Sequence, residues 1–255
     1  MLVRLDQLLV DQLLANSRSQ AQRIIKEGRV EVNLGRWTII NKSAFKLSSA
    51  SHLRVIADES DKYVSRGALK LKAAHEAFQL DFSGSSAIDV GQSTGGFTDY
   101  LLQHGAKSVL GIEVGHDQLA KRLIDDPRVL CIEGYNARNL EPSLVDLAPN
   151  GRFDFAVMDV SFISQRLILP NLCKLLSPGS HLITLVKPQF ELGPEHIGKG
   201  GIVKSNHLYA DLEQQMKGFV SQQSMSIEGY IDSPIKGGDG NQEFILFARK
   251  DPPQQ

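Results

Sequence analysis

The 255-residue chain holds two cysteines, Cys131 and Cys173, and neither belongs to a CxxC pair. That argues against a disulfide scaffold or a thiolate zinc site, and it points to a reducing, cytoplasmic setting with no metal requirement. Long apolar runs are missing too: nothing approaches the ~18 residues that a membrane helix needs. Near the N-terminus, LVRLDQLLVDQLL is interrupted by Asp6 and Asp11, so it lacks the unbroken core of a signal peptide. There is no internal repeat and no low-complexity tract. A hydrophobic share of 42% and a charged share of 22% are ordinary for a globular chain. The length suits one large domain, or a small one joined to a medium one.

Excess charge is absent overall, at −1, but not locally. Residues 1–56 hold nine Lys/Arg against four Asp/Glu, a balance of +5 that leaves −6 for the rest. A basic segment on an acidic body suggests a polyanion-binding module. Within it, Leu5, Leu8, Leu9, Leu13 and Leu14 recur at helical spacing. Ser17 is placed to cap a second helix through Ala21, Ile24 and Ile25, which Gly28 would end. Short extended pieces are expected at Val30–Val32, Trp37–Ile40 and Leu53–Ile56, and the polar ADESDK at 57–62 reads as a linker.

Beyond the linker, strands are expected at Ala87–Val90, Val109–Val114, Val129–Ile132, Phe153–Met158 and His181–Val186. Helices are expected at Gly67–Phe78, Gly96–His104, Gln118–Ile124, Phe162–Leu176 and Leu208–Ser221. This alternation predicts a parallel sheet covered on both faces. Two last strands, Ser226–Ile231 and Glu243–Ala248, have no helix between them and should pair antiparallel.

The stretch SAIDVGQSTGGF, at 86–97, follows the first of these strands. Ligands of doubly wound sheets bind at this loop. Its spacing is neither the dinucleotide GxGxxG nor a P-loop. Few phosphate donors and a preceding Asp89 suit a cationic or neutral ligand, such as S-adenosyl-L-methionine with its sulfonium and ammonium. Glu113 closes the next strand, where an acid can accept ribose hydroxyls. Asp159 and Lys187 follow two further apolar strands; with Lys70 and Glu243 they make a Lys–Asp–Lys–Glu set. A ribose 2′-hydroxyl is a weak nucleophile, and a lysine beside another cation and a sulfonium has a lowered pKa and can take its proton. The carboxylates would orient the lysines.

Taken together, RLDQLL…SRSQAQRIIKEGRVEVN resembles the S4 RNA-binding signature, and YVSRGALKL, DVGQSTGGFTD, DVSFIS, VKPQFE and GKGGIV resemble successive motifs of the TlyA family, sometimes called hemolysin A. The resemblance runs nearly end to end. It implies an α/β protein: a small α+β S4-like RNA-binding domain at 1–60, then a Rossmann-like, FtsJ-like methyltransferase domain at 61–250 with a mostly parallel seven-stranded sheet. It implies methyl transfer from S-adenosyl-L-methionine to the 2′-oxygen of cytidines in ribosomal RNA, on ribosomal subunits. The catalytic tetrad then falls on Lys70, Asp159, Lys187 and Glu243, with Lys187 the proton acceptor and Glu191 a competitor for the last place. The cofactor would contact Asp89, Gly91, Ser93, Thr94, Gly95, Gly96, Phe97, Glu113, Asn136 and Asp159. RNA would be gripped by Arg4, Arg18, Arg23, Lys26, Arg29, Arg66 and Lys199, with Lys204 beside the last of these. The glycines Gly198, Gly200 and Gly201 suggest a mobile loop that orders on substrate. In two places the chain departs from the pattern: Asn33-Leu34-Gly35 lengthens a turn that S4 domains make with Asn-Gly, and Gly67-Ala68 stands for Gly-Gly. The competing readings are a ribosome-binding assembly factor without turnover and a membrane-active hemolysin. The second lacks the long cationic amphipathic helix it would need.

Overall fold

Leu5, Leu8 and Leu9 bury completely or nearly so and seed the core of the first of two compact units, Met1–Asp61 and Lys62–Gln255. The computed structural model describes residues 2–15 and 17–253. In the first unit, strand β1 (Leu2–Arg4) leads into helix α1 (Leu5–Asp11), and helix α2 (Arg18–Lys26) follows. Ser17 caps α2 by accepting from the Gln20 amide at 3.2 Å. The strands β2 (Val30–Asn33), β3 (Trp37–Ile39), β4 (Lys46–Ser48) and β5 (Leu53–Val55) complete it. A three-stranded sheet runs β3-β2-β5, while β1 pairs with β4. The β1–β4 pair is not foreseen from the sequence. Alternation in β2 sends Val30 and Val32 toward the helices. The longer turn is absorbed in register, with Asn33 opposite Trp37 and the Gly35 amide on Asn33 Oδ1 at 3.1 Å.

The second unit begins with helix α3 (Ala68–Phe78), strand β6 (Ser86–Val90), helix α4 (Gly96–Gln103) and strand β7 (Ser108–Ile112). Helix α5 (Lys121–Ile124), strand β8 (Val129–Ile132), strand β9 (Phe153–Met158), helix α6 (Leu169–Leu172) and strand β10 (Leu176–Val186) continue it. Helices α7 (Pro188–Glu191) and α8 (Leu208–Ser221) precede the closing strands β11 (Met225–Asp232) and β12 (Phe244–Lys250). The sheet order is β11-β12-β10-β9-β6-β7-β8, parallel except around β12. One face packs on α8 through Leu212, Met216 and Val220, and the other on α3 and α4 through Leu71, Ala74 and Leu101. The chain leaves β6 toward β7 on one side and returns as β9 on the other. The gap between β6 and β9 is therefore the switch point where such sheets bind ligands.

Several expected elements come out shorter, among them three in the second unit. Phe162–Leu176 is not one helix but α6 flanked by single 3₁₀ turns at Gln165–Leu167 and Cys173–Leu175. Pro170 lacks the amide that a continuous helix would need there, and Phe162 adopts a left-handed φ of 64°. Gln118–Ile124 shrinks to α5 because Ala120 is extended. Strand β7 stops at Ile112, two residues before the expected Val114. No helix among the described residues is long and apolar enough to cross a membrane.

Candidate active site

Strand β6 delivers the glycine loop, and its glycines answer mostly to protein neighbours. At Gly91, with φ +80°, an added Cβ would lie 2.7 Å from the Asp159 carbonyl. At Gly95, with φ +90°, it would lie 2.3 Å from a Leu123 methyl. The first glycine thus lets the β6 and β9 loops touch, and the second seats α5 against the loop. Only Gly91 and Ser93 of the loop line the adjoining cavity; Gly95, Gly96, Thr94 and Phe97 do not. Phe97 lies in the core between sheet and helices.

Asp89 is likewise drawn away from the cavity. Strand alternation turns it toward α4, where its Oδ2 accepts from the Thr98 amide at 3.1 Å and the Thr98 hydroxyl at 2.7 Å. Burial, only partly offset by these bonds, pushes its pKa up to about 7. A carboxyl that binds its proton more tightly folded than unfolded favours folding less as pH rises from its ordinary 3.8 to about 7. Asp89→Asn should therefore gain melting temperature relative to wild type between pH 5 and pH 8, as read by scanning fluorimetry. An identical pH profile in the two proteins would refute the buried-acid account.

The cavity, about 660 Å³, lies over the switch point, within the usual size of small-ligand sites. Ile112, Val160, Ile163, Ile168 and Tyr135 give it apolar walls, and Glu113 and Asp159 give it acid. Glu113 accepts the Ser93 amide on one oxygen and the Gly115 amide on the other, both at 2.8 Å, so it also shapes the loop it faces. Asn136 lines the cavity while its Oδ1 accepts from the Arg138 amide at 3.0 Å, making it both turn-former and wall.

At the cavity's edge the four spaced residues meet. Lys70 Nζ stands 3.0 Å from Asp159 Oδ2 and 2.6 Å from Glu243 Oε2, and Lys187 Nζ stands 2.6 Å from Asp159 Oδ1. The two 2.6 Å contacts are ion contacts and not well-directed hydrogen bonds. Lys187 also donates to Ser161 Oγ at 2.8 Å. Burial lowers the affinity of Lys70 for its proton, but Asp159 and Glu243 together outweigh it and hold the pKa above the ordinary value. Lys70 thus stays charged, contrary to a lowered pKa for a lysine so placed. Burial would raise Asp159, yet the two ammonium groups hold it below its ordinary value.

Glu191 does not reach this cluster. It accepts from Ser164 Oγ at 2.7 Å and the Gln165 amide at 2.8 Å, with Arg166 at 3.6 Å. It therefore ties the segment after β9 to the segment after β10, and burial raises its pKa. Ser161, Tyr135 and Gln118, absent from the sequence-based set, border the cavity. A hydroxyl two residues beyond Asp159 was the available signal for the first; the others carried none.

The basic residues divide. In the first unit Lys26 is exposed, and Arg23 lies 3.9 Å from Glu27 along α2. Arg29 is not on a binding face: it is buried, donates twice to the Ile56 carbonyl at 2.8 and 3.0 Å, and pairs with Asp61 and Glu27. Its guanidinium is spent on holding residues 56–61. In the second unit Arg66 and Lys199 are exposed. The glycine-rich loop around Lys199 is fastened at its base, by the Ile197–Val203 bridge and by Asn241, which accepts from the Val203 amide and donates to the Gly201 carbonyl. Both cysteines are raised chiefly by burial, Cys131 to about 11 and Cys173 to about 12, which leaves them unreactive.

A doubly wound sheet with a charged cluster beside a cavity at its switch point is the architecture of a Rossmann-like methyltransferase. Residues 63–250 match the sequence profile of FtsJ-like methyltransferases, and residues 3–49 match that of the S4 domain. The chain belongs to the TlyA family of S4-domain, FtsJ-like methyltransferases. It is similar to the 16S/23S rRNA (cytidine-2′-O)-methyltransferase TlyA of Mycobacterium tuberculosis, 39% identical over 96% of this chain and 89% of that one. It also resembles Hemolysin A of Brachyspira hyodysenteriae, 36% identical over 95% and 98% of the two chains. A solved protein of Streptococcus thermophilus named for hemolysin is 41% identical, with a TM-score of 0.76 over 100% of this chain and 90% of that one.

Proposed function

We propose that the protein methylates the ribose 2′-oxygen of cytidine in ribosomal RNA, using S-adenosyl-L-methionine and Lys187 as proton acceptor. The observation that carries this is the Lys70–Asp159–Lys187–Glu243 cluster at the rim of an acid-lined, largely apolar cavity. The cavity fits the cofactor chemically: Asp159 suits its positive groups, Glu113 its ribose hydroxyls, and Ile112, Tyr135 and Asn136 a flat base. When bound, the cofactor supplies an electrophilic methyl group.

The two lysines are distinguished by what surrounds them. Lys70 touches two carboxylates and remains a fixed cation, whereas Lys187 touches one carboxylate that it shares, plus the neutral Ser161 hydroxyl. Lys187 is therefore the member that, once it has given up its own proton to solvent, takes the proton of the ribose hydroxyl. Asp159 holds both ammonium groups at its two oxygens, and Ser161 fixes the direction of Lys187.

Methylation by tritiated S-adenosyl-L-methionine of ribosomal subunits lacking the modification tests the activity, and mass spectrometry of the RNA tests the 2′-O-methylcytidine product. No label at all would favour a ribosome-binding role without turnover, and label in protein only would overturn RNA as the substrate. The domain division at residue 61 gives a further expectation. Removing residues 1–61 should leave cofactor affinity within about threefold yet weaken subunit binding by about tenfold or more, since phosphate contacts dominate RNA affinity. Filter binding to subunits checks this, and unchanged affinity would remove the first unit from RNA recognition.

A further inference from the structure

In the first unit, Asp6 is completely buried, yet it is the meeting point of three polar side chains. Arg4 grips it bidentately, Nε and Nη2 each at 2.9 Å from its two oxygens. Arg18 Nε reaches the same Oδ2 at 3.0 Å, and Gln22 Nε2 reaches it at 2.8 Å. Arg4 ends β1 and Arg18 begins α2, twelve residues beyond Asp6 along the chain. One carboxylate therefore draws together two guanidinium groups that would otherwise repel.

Both arginines remain open to solvent, with side-chain exposures of 41% for Arg4 and 53% for Arg18. Among the described residues Arg18 commits only Nε to Asp6 and its two terminal nitrogens keep their donors, as does Nη1 of Arg4. The pair carries a net charge of +1 once Asp6 is counted, in a segment whose balance is +5. The hydrogen bonds from Arg4, helped by Gln22 and Arg18, outweigh burial and hold Asp6 well below the usual carboxylate range, so the clamp persists at every working pH.

We propose that Asp6 is a positioning residue that locks Arg4 and Arg18 into one preorganised unit for gripping RNA phosphate. The inference rests on the reading of the first unit as an RNA-binding module. What it adds is that a buried acid, not the two cations alone, makes the grip. A fork held in place loses less conformational entropy on binding than two free arginines.

Charge and geometry predict opposite results at this position. If Asp6 only neutralised its neighbours, Asp6→Asn would add a unit of positive charge and tighten binding to RNA. If it orients them, Asp6→Asn releases both arginines and weakens binding, by about tenfold for the loss of one directed contact to phosphate. The measurement is filter binding of the full-length protein to purified ribosomal subunits, with melting temperature recorded alongside. A variant that melts early leaves the question to Arg4→Ala and Arg18→Ala, which change exposed side chains. Acting as one unit, either alone should cost about tenfold and the pair scarcely more; independent charges would multiply to about a hundredfold. Tighter binding by Asp6→Asn, or multiplicative losses for the arginines, overturns the inference and leaves the RNA-binding reading intact. A wild-type protein that binds no subunits overturns both.

Discussion

Lys187→Ala should lower methyl transfer to RNA by about a thousandfold, since a positioned general base contributes about 10²–10⁴ in rate. Cofactor affinity should stay within about twofold, because Lys187 does not line the cavity walls. The truncation leaves Asp159 paired with Lys70 at 3.0 Å, so the cluster keeps one of its two cations and the fold is spared. A companion variant separates charge from proton transfer. Lys187→Arg keeps a cation beside Asp159 but cannot release its proton at ordinary pH. It should be as inactive as the alanine variant. Single-turnover transfer of labelled methyl groups to subunits, with calorimetry for the cofactor, reads both quantities. Near-normal turnover by either variant would remove Lys187 from the role of base.

Lys70→Met should do the larger damage to stability. Its ammonium is the partner of Glu243, whose side chain is 3% exposed, at 2.6 Å. Replacing it strands a buried carboxylate, a loss of about 3 kcal/mol at the low end for a broken buried pair. The low end applies because Asp159 still holds Lys187. For a domain of this size that corresponds to a fall of roughly 10 °C in melting temperature. Adding Glu243→Gln to Lys70→Met should return most of the lost stability while activity stays absent. That recovery would distinguish an uncompensated charge from a simple packing defect, which the second substitution could not repair. A single variant that melts like wild type would contradict the tight ion pair.

The parts of this molecule that were legible in the sequence are those written in local periodicity. The strands β6, β8 and β9 and the helix α8 lie where the apolar pattern placed them; β6, β9 and α8 bury apolar stripes, and β8 is an unbroken apolar run at the sheet edge. Phe162–Leu176 misled because its apolar spacing is helical while Pro170 and the left-handed Phe162 interrupt the backbone. Asp159 and Lys187 were visible as ionisable groups after apolar runs, whereas Lys70 lies within a helix and Glu243 stands just before its strand. That Glu243 and not Glu191 meets Lys70 was not visible, since both acids lie near the same sheet edge and only three-dimensional contacts choose. The glycines misled in another way. A glycine that clears a ligand and one that clears Leu123 or a neighbouring carbonyl look the same in one dimension. Arg29 teaches the same lesson for charge, since composition counts it as a surface cation while the fold buries it.

Glu191, passed over by the cluster, has a mechanical consequence for it. Through Ser164 and Gln165 it rivets the strand end that carries Asp159 to the one that carries Lys187. A displacement of one strand end therefore draws the other with it, and the spacing of Lys187 and Asp159 is held against breathing of the cavity mouth.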